Sequence, residues 1–295
     1  MAAIDPDEFA REGVSVTLLT WNGGALLQRL VDAVLAQQTN RRVEIIAVDR
    51  GSTDGTRQML ESHGVDVVDV PQEKFDWGLT RNLSFERAQL PIIVTLSQDA
   101  VPEHPGWLES LVTPLADPHV GVVCGPSKPD PDRAFRQFAW ERNGYFYFTQ
   151  EIRSFIAKYG RGVSFSNAAL RRSTWKHVGL GEQPLGEDFL FQMLLRANGF
   201  DVAFAPEAAV LHHHTYDMST LFARCRNEGL ALRKLGMRYT VGQCMSDLVS
   251  TPKYVQWARE FLRGGLRTPA EFVFPVVRPL AVLSGSQFAR KHRWP

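Results

Sequence analysis

The 295-residue chain carries 33 Lys+Arg against 32 Asp+Glu, with 44% apolar residues and 11% aromatics. That length and apolar content suffice for one large domain or a domain plus an appendage. A net charge of +1 excludes a general nucleic-acid binder, whose phosphate contacts need a basic excess.

The first thirteen residues are polar and acidic, unlike a secretory leader, and read as an N-terminal tail. From there to Cys124, apolar β-branched runs alternate with helix-period segments, the pattern of a parallel sheet with covering helices. The predicted strands are Val14–Thr20, Val43–Asp49, Val65–Val70, Ile92–Ser97 and Val120–Cys124. The predicted helices between them are Leu26–Ala36, a segment reaching about His63, Leu79–Ala88 and Pro105–Leu115. In such sheets ligands bind at the carboxyl ends of strands.

Pro126, Pro129 and Pro131 then interrupt the pattern ahead of an aromatic stretch of Phe135, Phe138, Trp140 and Tyr145 to Phe148. These aromatics read as core, with an acceptor-facing wall as the rival. Ser164–Arg171 resumes as a strand, Asp188–Asn198 as a helix, Val202–Leu211 as a last strand bent at Pro206, and Met218–Leu235 as a helix. The predicted organisation is a tail over 1–13, a first half over 14–125, a second half over 126–240, and a basic extension over 241–295. The extension reads as helical pieces separated by Gly and Pro.

Charge is distributed unevenly along this chain. From Lys253 onward eight Lys/Arg face two acids, so this tail carries +6 and the first 252 residues −5. Three widely separated cysteines, Cys124, Cys225 and Cys244, are too few for a disulfide framework and read as buried side chains in a reducing compartment. No window approaches the roughly 20 apolar residues of a membrane span. Together these features predict a cytoplasmic protein. Its tail either rests on the inner face of a membrane or packs on the body or on another copy of the chain.

The familiar nucleotide motifs are absent: neither GxxxxGK[ST] nor a GxGxxG after the first strand occurs, which removes support for a nucleoside triphosphatase or a dinucleotide dehydrogenase. The strand ends instead offer Thr20-Trp21-Asn22, Asp49, Ser97-Gln98-Asp99 and His212-His213-His214. If all strands point the same way, these groups converge on one rim. Asp99 is placed to leave the sheet and hold a divalent metal; capping a turn before Pro102 is the simpler alternative. On an extended segment His212 and His214 point to one side. Oxygen ligands plus an imidazole suit Mg²⁺ or Mn²⁺ on a diphosphate, whereas a zinc hydrolase would need a ligand set not found here. Glu187-Asp188 open a predicted helix, where acids either cap it or supply a general base.

These segments, with Ile45 to Thr56 and Thr80-Arg81-Asn82, occur in the order seen in inverting family 2 glycosyltransferases of the GT-A fold, which the chain resembles over about residues 14 to 240. Gly78-Leu79-Thr80-Arg81-Asn82, Gln98-Asp99-Ala100-Val101-Pro102 and His212-His213-His214 before Tyr216 resemble the bacterial rhamnosyltransferase branch. The resemblance implies a GT-A, Rossmann-like, mainly parallel α/β sheet with a C-terminal helical extension. It also implies transfer of a sugar from deoxythymidine diphosphate rhamnose, or from a UDP-sugar, to a saccharide or lipid-linked acceptor. Thr20 and Asn22 are then expected beside the nucleotide, Asp49 on its base or ribose, and Arg81 near base or diphosphate, with Gly51 and Gln98 in the same donor-binding set. Asp99 is expected as the surviving acid of the metal motif, with His212 or His214 as a further ligand for Mg²⁺ or Mn²⁺. Asp188 is expected as the catalytic base, with Glu187 beside it tuning its protonation. Two positions depart from the pattern: Ser97 replaces the first acid of the metal motif, and Arg50 replaces a small or acidic residue. A sugar nucleotidyltransferase and a non-catalytic carbohydrate-binding protein are the rival readings.

Overall fold

A computed structural model describes residues 5–133, 137–142, 158, 162–183 and 185–289. Ten strands are described in chain order: β1 Val14–Thr20, β2 Val43–Asp49, β3 Asp66–Asp69, β4 Ile92–Ser97, β5 Val101–Pro102, β6 Val120–Cys124, β7 Ser127–Lys128, β8 Asn167–Arg171, β9 Asp201–Phe204 and β10 Val210–Leu211. Seven form one sheet in the order β3-β2-β1-β4-β8-β6-β9. β1, β2, β3 and β4 are mutually parallel, as are β6 and β9; β8 runs antiparallel to both its neighbours, β4 and β6. The central strands are mainly apolar, and their few polar residues such as Ser15 and Thr17 are buried too, because both of their faces are covered. All seven residues of β1 and all five of β6 are buried. Helices Gly24–Leu35 and Trp107–Val112 cover one face of the sheet, with Leu27, Leu30, Trp107 and Leu111 in the core against Val16 and Val94. On the other face Phe85, Phe165, Trp175 and Phe191 pack edge-on or tilted, with ring centroids 5.5–5.9 Å apart.

Two predicted elements take a different form. The single strand Val202–Leu211 is two short strands in two sheets, because the turn Ala205–Ala208 around Pro206 carries β10 away to pair with β5 and β7. The C-terminal extension is not broken at its prolines: Pro269–Phe288 is one 20-residue helix containing Pro275 and Pro279.

A proline inside a helix orphans the carbonyl four residues before it. Here both orphans are satisfied by side chains. Trp140 Nε1 donates to the Glu271 carbonyl at 2.7 Å, and Lys253 Nζ donates to the Pro275 carbonyl at 2.8 Å. The chain divides into two compact units. One takes Met1–Asp130, Gly162–Glu182 and Glu187–His212; the other takes Pro131–Arg161, Gln183–Gly186 and His213–Pro295. The second unit has its own core, in which Trp140 stacks on Phe274 at 5.0 Å and Phe138 meets both Phe274 and Tyr216 edge-on. Phe138 and Trp140 are therefore core residues; Phe135 and Tyr145 to Phe148 lie outside the described residues. All three cysteines are free and buried. No helix of the described residues is long and apolar enough to cross a membrane.

Burial pushes the Lys253 ammonium down to about 8 from its ordinary 10.5. Across that window the unfolded chain binds more protons than the folded one, so Lys253 makes stability rise with pH. We expect Lys253→Met to cost about 1–3 kcal/mol by leaving the Pro275 carbonyl unpaired. In urea unfolding, the stability difference between wild type and variant should widen between pH 8 and 10.5. A pH-independent difference would contradict the buried-ammonium assignment.

Candidate active site

The site is built where β1, β2 and β4 end together, since the parallel registers place Thr20 opposite Asp49 and Leu19 opposite Ser97. Asp49 is 1% exposed, and its carboxylate accepts four hydrogen bonds from its own surroundings. These come from Thr20 Oγ1 at 2.9 Å, the Gly51 N–H at 3.0 Å, the Ser52 N–H at 2.7 Å and Ser52 Oγ at 2.6 Å. An aspartate followed by Gly-Ser is suited to this, because the carboxylate reaches the amides two and three residues on and Gly51 supplies φ 79°.

Asn22 is the only non-glycine residue of positive φ among the described residues, at 47°. Its short side-chain amide tolerates that conformation and accepts the Thr53 N–H at 2.9 Å through Oδ1, while the Asn22 backbone N–H donates to Ser52 Oγ at 2.8 Å. Gln98 joins the third strand end to the same loop: its Oε1 accepts the Trp21 N–H at 2.8 Å and its Nε2 donates to the Trp21 carbonyl at 3.1 Å. Thr20, Asn22, Asp49, Gly51 and Gln98 thus form one hydrogen-bonded rim.

Arg50 shows what its unusual position accomplishes. Its guanidinium lies over the Trp21 ring at 4.3 Å and the Phe75 ring at 4.9 Å, and burial lowers its pKa. The departure thereby ties the β2 turn to Trp21 and to the segment before helix Trp77–Arg87.

Arg81 comes from that helix and is 3% exposed. It donates to Thr95 Oγ1 on β4 at 2.7 Å and lies 3.3 Å from Glu187 Oε1, with the Phe165 ring 5.3 Å from its guanidinium carbon. Burial lowers its pKa while Glu187 and Asp188 pull the other way. Gly186, at φ 77°, turns the chain into helix Glu187–Ala197, whose first two residues are these acids. The pair is divided by environment: Glu187 is buried against Arg81, whereas Asp188 is only half-buried and accepts the Phe189 N–H at 2.9 Å.

Asp99 lies just beyond β4, with its side chain 36% exposed and Oδ1 3.2 Å from Nδ1 of the buried His212. Ser97 Oγ is 3.0 Å from Ser166 Oγ, so it faces the antiparallel β8 rather than supplying a carboxylate. β10 ends at Leu211, so His212 and His214 lie beyond the strand. His212 meets Asp99. His214, in the second unit, has Nδ1 2.6 Å from Glu141 Oε1 and its ring stacked on Tyr216. Likewise β8 opposes β4, so the rim combines the carboxyl ends of three strands with the amino end of another. Among the described residues no group of three or more His, Cys, Asp and Glu side chains is placed to hold a metal. Asp99 with His212 nonetheless suits a hard cation that takes the rest of its oxygens from a diphosphate.

Sequence reasoning missed Thr95, Ser52 and Glu141. Ser52 was within reach, lying in the Gly51-Ser52-Thr53-Asp54-Gly55 turn. The pairing of Glu141 with His214 spans 73 residues and has no local signal.

Residues 15–179 match the family described as Glycosyl transferase family 2. The chain belongs to that family. Its curated relatives include the O-antigen chain rhamnosyltransferase RfbN of Salmonella typhimurium, 29% identical over 227 residues, covering 74% of this chain and 71% of the relative. WbaN of Salmonella anatum, also an O-antigen chain rhamnosyltransferase, is 29% identical over 227 residues, covering 73% and 71%. Among solved structures, the mannosyltransferase PcManGT from Pyrobaculum calidifontis, in complex with GDP-Man and Mn²⁺, superposes with a TM-score of 0.57 at 18% identity, covering 92% of this chain and 70% of that one. Glucosyl-3-phosphoglycerate synthase from Mycobacterium tuberculosis, with Mn²⁺, UDP and phosphoglyceric acid, gives 0.59 at 20% identity over 77% and 79%. The fold is thus the GT-A fold that the sequence predicts, and this family 2 member is a glycosyltransferase.

Proposed function

We propose that this chain moves a sugar, rhamnose first and a UDP-linked hexose second, from a nucleoside diphosphate donor to a hydroxyl of a saccharide or lipid-linked acceptor, with inversion. The observation that carries this reading is the division of labour at the start of helix Glu187–Ala197. Glu187 is committed to the buried Arg81, and Asp188 stands beside it, more exposed and held by the Phe189 N–H. A base in that position accepts the proton of the acceptor hydroxyl as its oxygen bonds to the anomeric carbon and the bond to the diphosphate breaks. The similarity of the chain to two O-antigen rhamnosyltransferases supports rhamnose as the sugar.

Thr20, Asn22, Gly51 and Gln98 frame the donor, and Asp49, saturated by its own loop, acts by fixing that frame. Asp99 and His212 hold a divalent cation, which when bound neutralises charge on the departing diphosphate. We expect Asp99→Ala to abolish the strengthening of donor binding by Mg²⁺ or Mn²⁺ in calorimetry. Equal metal dependence in wild type and variant would remove Asp99 from that role.

The donor is tested by a thermal-shift screen of nucleoside diphosphates and their sugars, each with Mg²⁺, Mn²⁺ and chelator. The expected result is a larger rise in melting temperature with the deoxythymidine or uridine compounds than with other nucleotides. No selective rise with any nucleoside diphosphate would overturn the reading.

A further inference from the structure

The C-terminal helices of the second unit, Val241–Leu248, Thr251–Leu262 and Pro269–Phe288, sort their charges in an unusual way. Every acid between residues 241 and 289 is inside: Asp247 is 8% exposed, Glu260 6% and Glu271 4%. Lys253 and Arg278 are inside as well. The charges left on the surface of this segment are Arg259, Arg263 and Arg267. Fixed partners account for the buried acids: Glu260 binds Arg142 at 2.9 Å, Asp247 accepts the Tyr239 hydroxyl at 2.6 Å, and Glu271 accepts the Ala139, Arg267 and Thr268 N–H groups.

The same segment also exposes apolar and aromatic side chains. Trp257 and Phe261 stack with centroids 5.4 Å apart and planes 4° apart, and Phe272 from the following helix meets both edge-on at 6.4 and 6.2 Å. Trp257 Nε1 donates to the Phe272 carbonyl at 3.0 Å, locking the cluster. Phe261 is nevertheless 52% exposed and Leu262 82%. Phe272, Val276 and Leu280 continue the apolar stripe at every fourth position, all exposed.

We propose that this face docks on the surface of an anionic phospholipid bilayer. Trp257, Phe261, Leu262 and Phe272 enter the boundary between headgroups and acyl chains, and Arg259, Arg263 and Arg267 lie against lipid phosphates. On helix Thr251–Leu262, which buries Lys253 and Glu260, the most exposed large apolar residue, Leu262, stands between Phe261 on one flank and Arg259 and Arg263 on the other. Exposed apolar and cationic groups with the acids withdrawn complement a surface that is both greasy and negative. A second copy of the chain fits worse, since a two-fold interface sets a patch against itself and would bring arginine to arginine with no acid to meet it. The inference does not depend on the sugar transferred, and vesicles without acceptor read it separately.

The test is flotation of the full chain with vesicles of phosphatidylcholine alone or mixed with phosphatidylglycerol, at low and high salt. Binding to the mixed vesicles only, weakening at least about ten-fold as salt rises, is the expected result. Phe261→Asp with Leu262→Asp, and separately Arg259→Glu with Arg263→Glu, should each lower binding by about ten-fold or more while leaving circular dichroism unchanged. If a variant fails to fold, the wild-type lipid and salt series decides alone. Absence of flotation, equal flotation with neutral and anionic vesicles, or a dimer in light scattering that the same substitutions dissociate would each overturn the proposal.

Discussion

Replacing Asp188 with Asn is expected to lower kcat by about 10²–10⁴-fold, the usual contribution of a positioned general base, while donor affinity stays near that of the wild type. The amide is isosteric with the carboxylate and still accepts the Phe189 N–H through its oxygen, so the start of the helix keeps its shape. On the proposed role, what is lost is the capacity to take a proton from the acceptor hydroxyl. Steady-state transfer rates alongside calorimetric donor binding check this. A variant with near wild-type turnover would remove Asp188 from the role of base, and one that no longer binds donor would assign it to binding instead.

The second large effect is on stability. Arg81→Met is expected to destabilise the first unit by about 3–5 kcal/mol, because it strands the Glu187 carboxylate in a site where only 6% of the residue is exposed. The double variant with Glu187→Gln should recover most of that loss, since an uncharged amide no longer demands a counter-ion. The two together test whether the Arg81–Glu187 ion pair is a structural strut beside Asp188. Urea unfolding of the single and double variants measures it; equal stability of wild type and Arg81→Met would contradict the strut.

The central sheet was legible because its strands are buried on both faces. Val14–Thr20, Val43–Asp49, Ile92–Ser97 and Val120–Cys124 are predicted and found with the same bounds. The helix Met218–Lys234 was equally plain, starting at an Asp217 capping box. Where long-range partners override a local signal, the reading failed. Pro275 and Pro279 read as breaks because nothing near them in sequence announces Trp140 and Lys253, which supply the missing donors. Val202–Leu211 read as one strand because hydropathy alone does not say which sheet receives each end. At the site, the residue types and their order along the rim were legible, but their bonding was not. Asp49 turns inward to its own loop, and Arg81 finds Glu187 across 106 residues. Arg50 was legible only as a departure; its place between Trp21 and Phe75 needed the fold.

The measurement that bears most directly on the whole account is the anomeric configuration of the product, read by NMR after incubation with deoxythymidine diphosphate rhamnose, or with a UDP-hexose if that is the donor bound. A single base facing the acceptor hydroxyl, with no covalent glycosyl intermediate, predicts a glycosidic bond of configuration opposite to that of the donor and release of the nucleoside diphosphate. A product that retains the donor configuration would contradict the role given to Asp188 and the mechanism built on it.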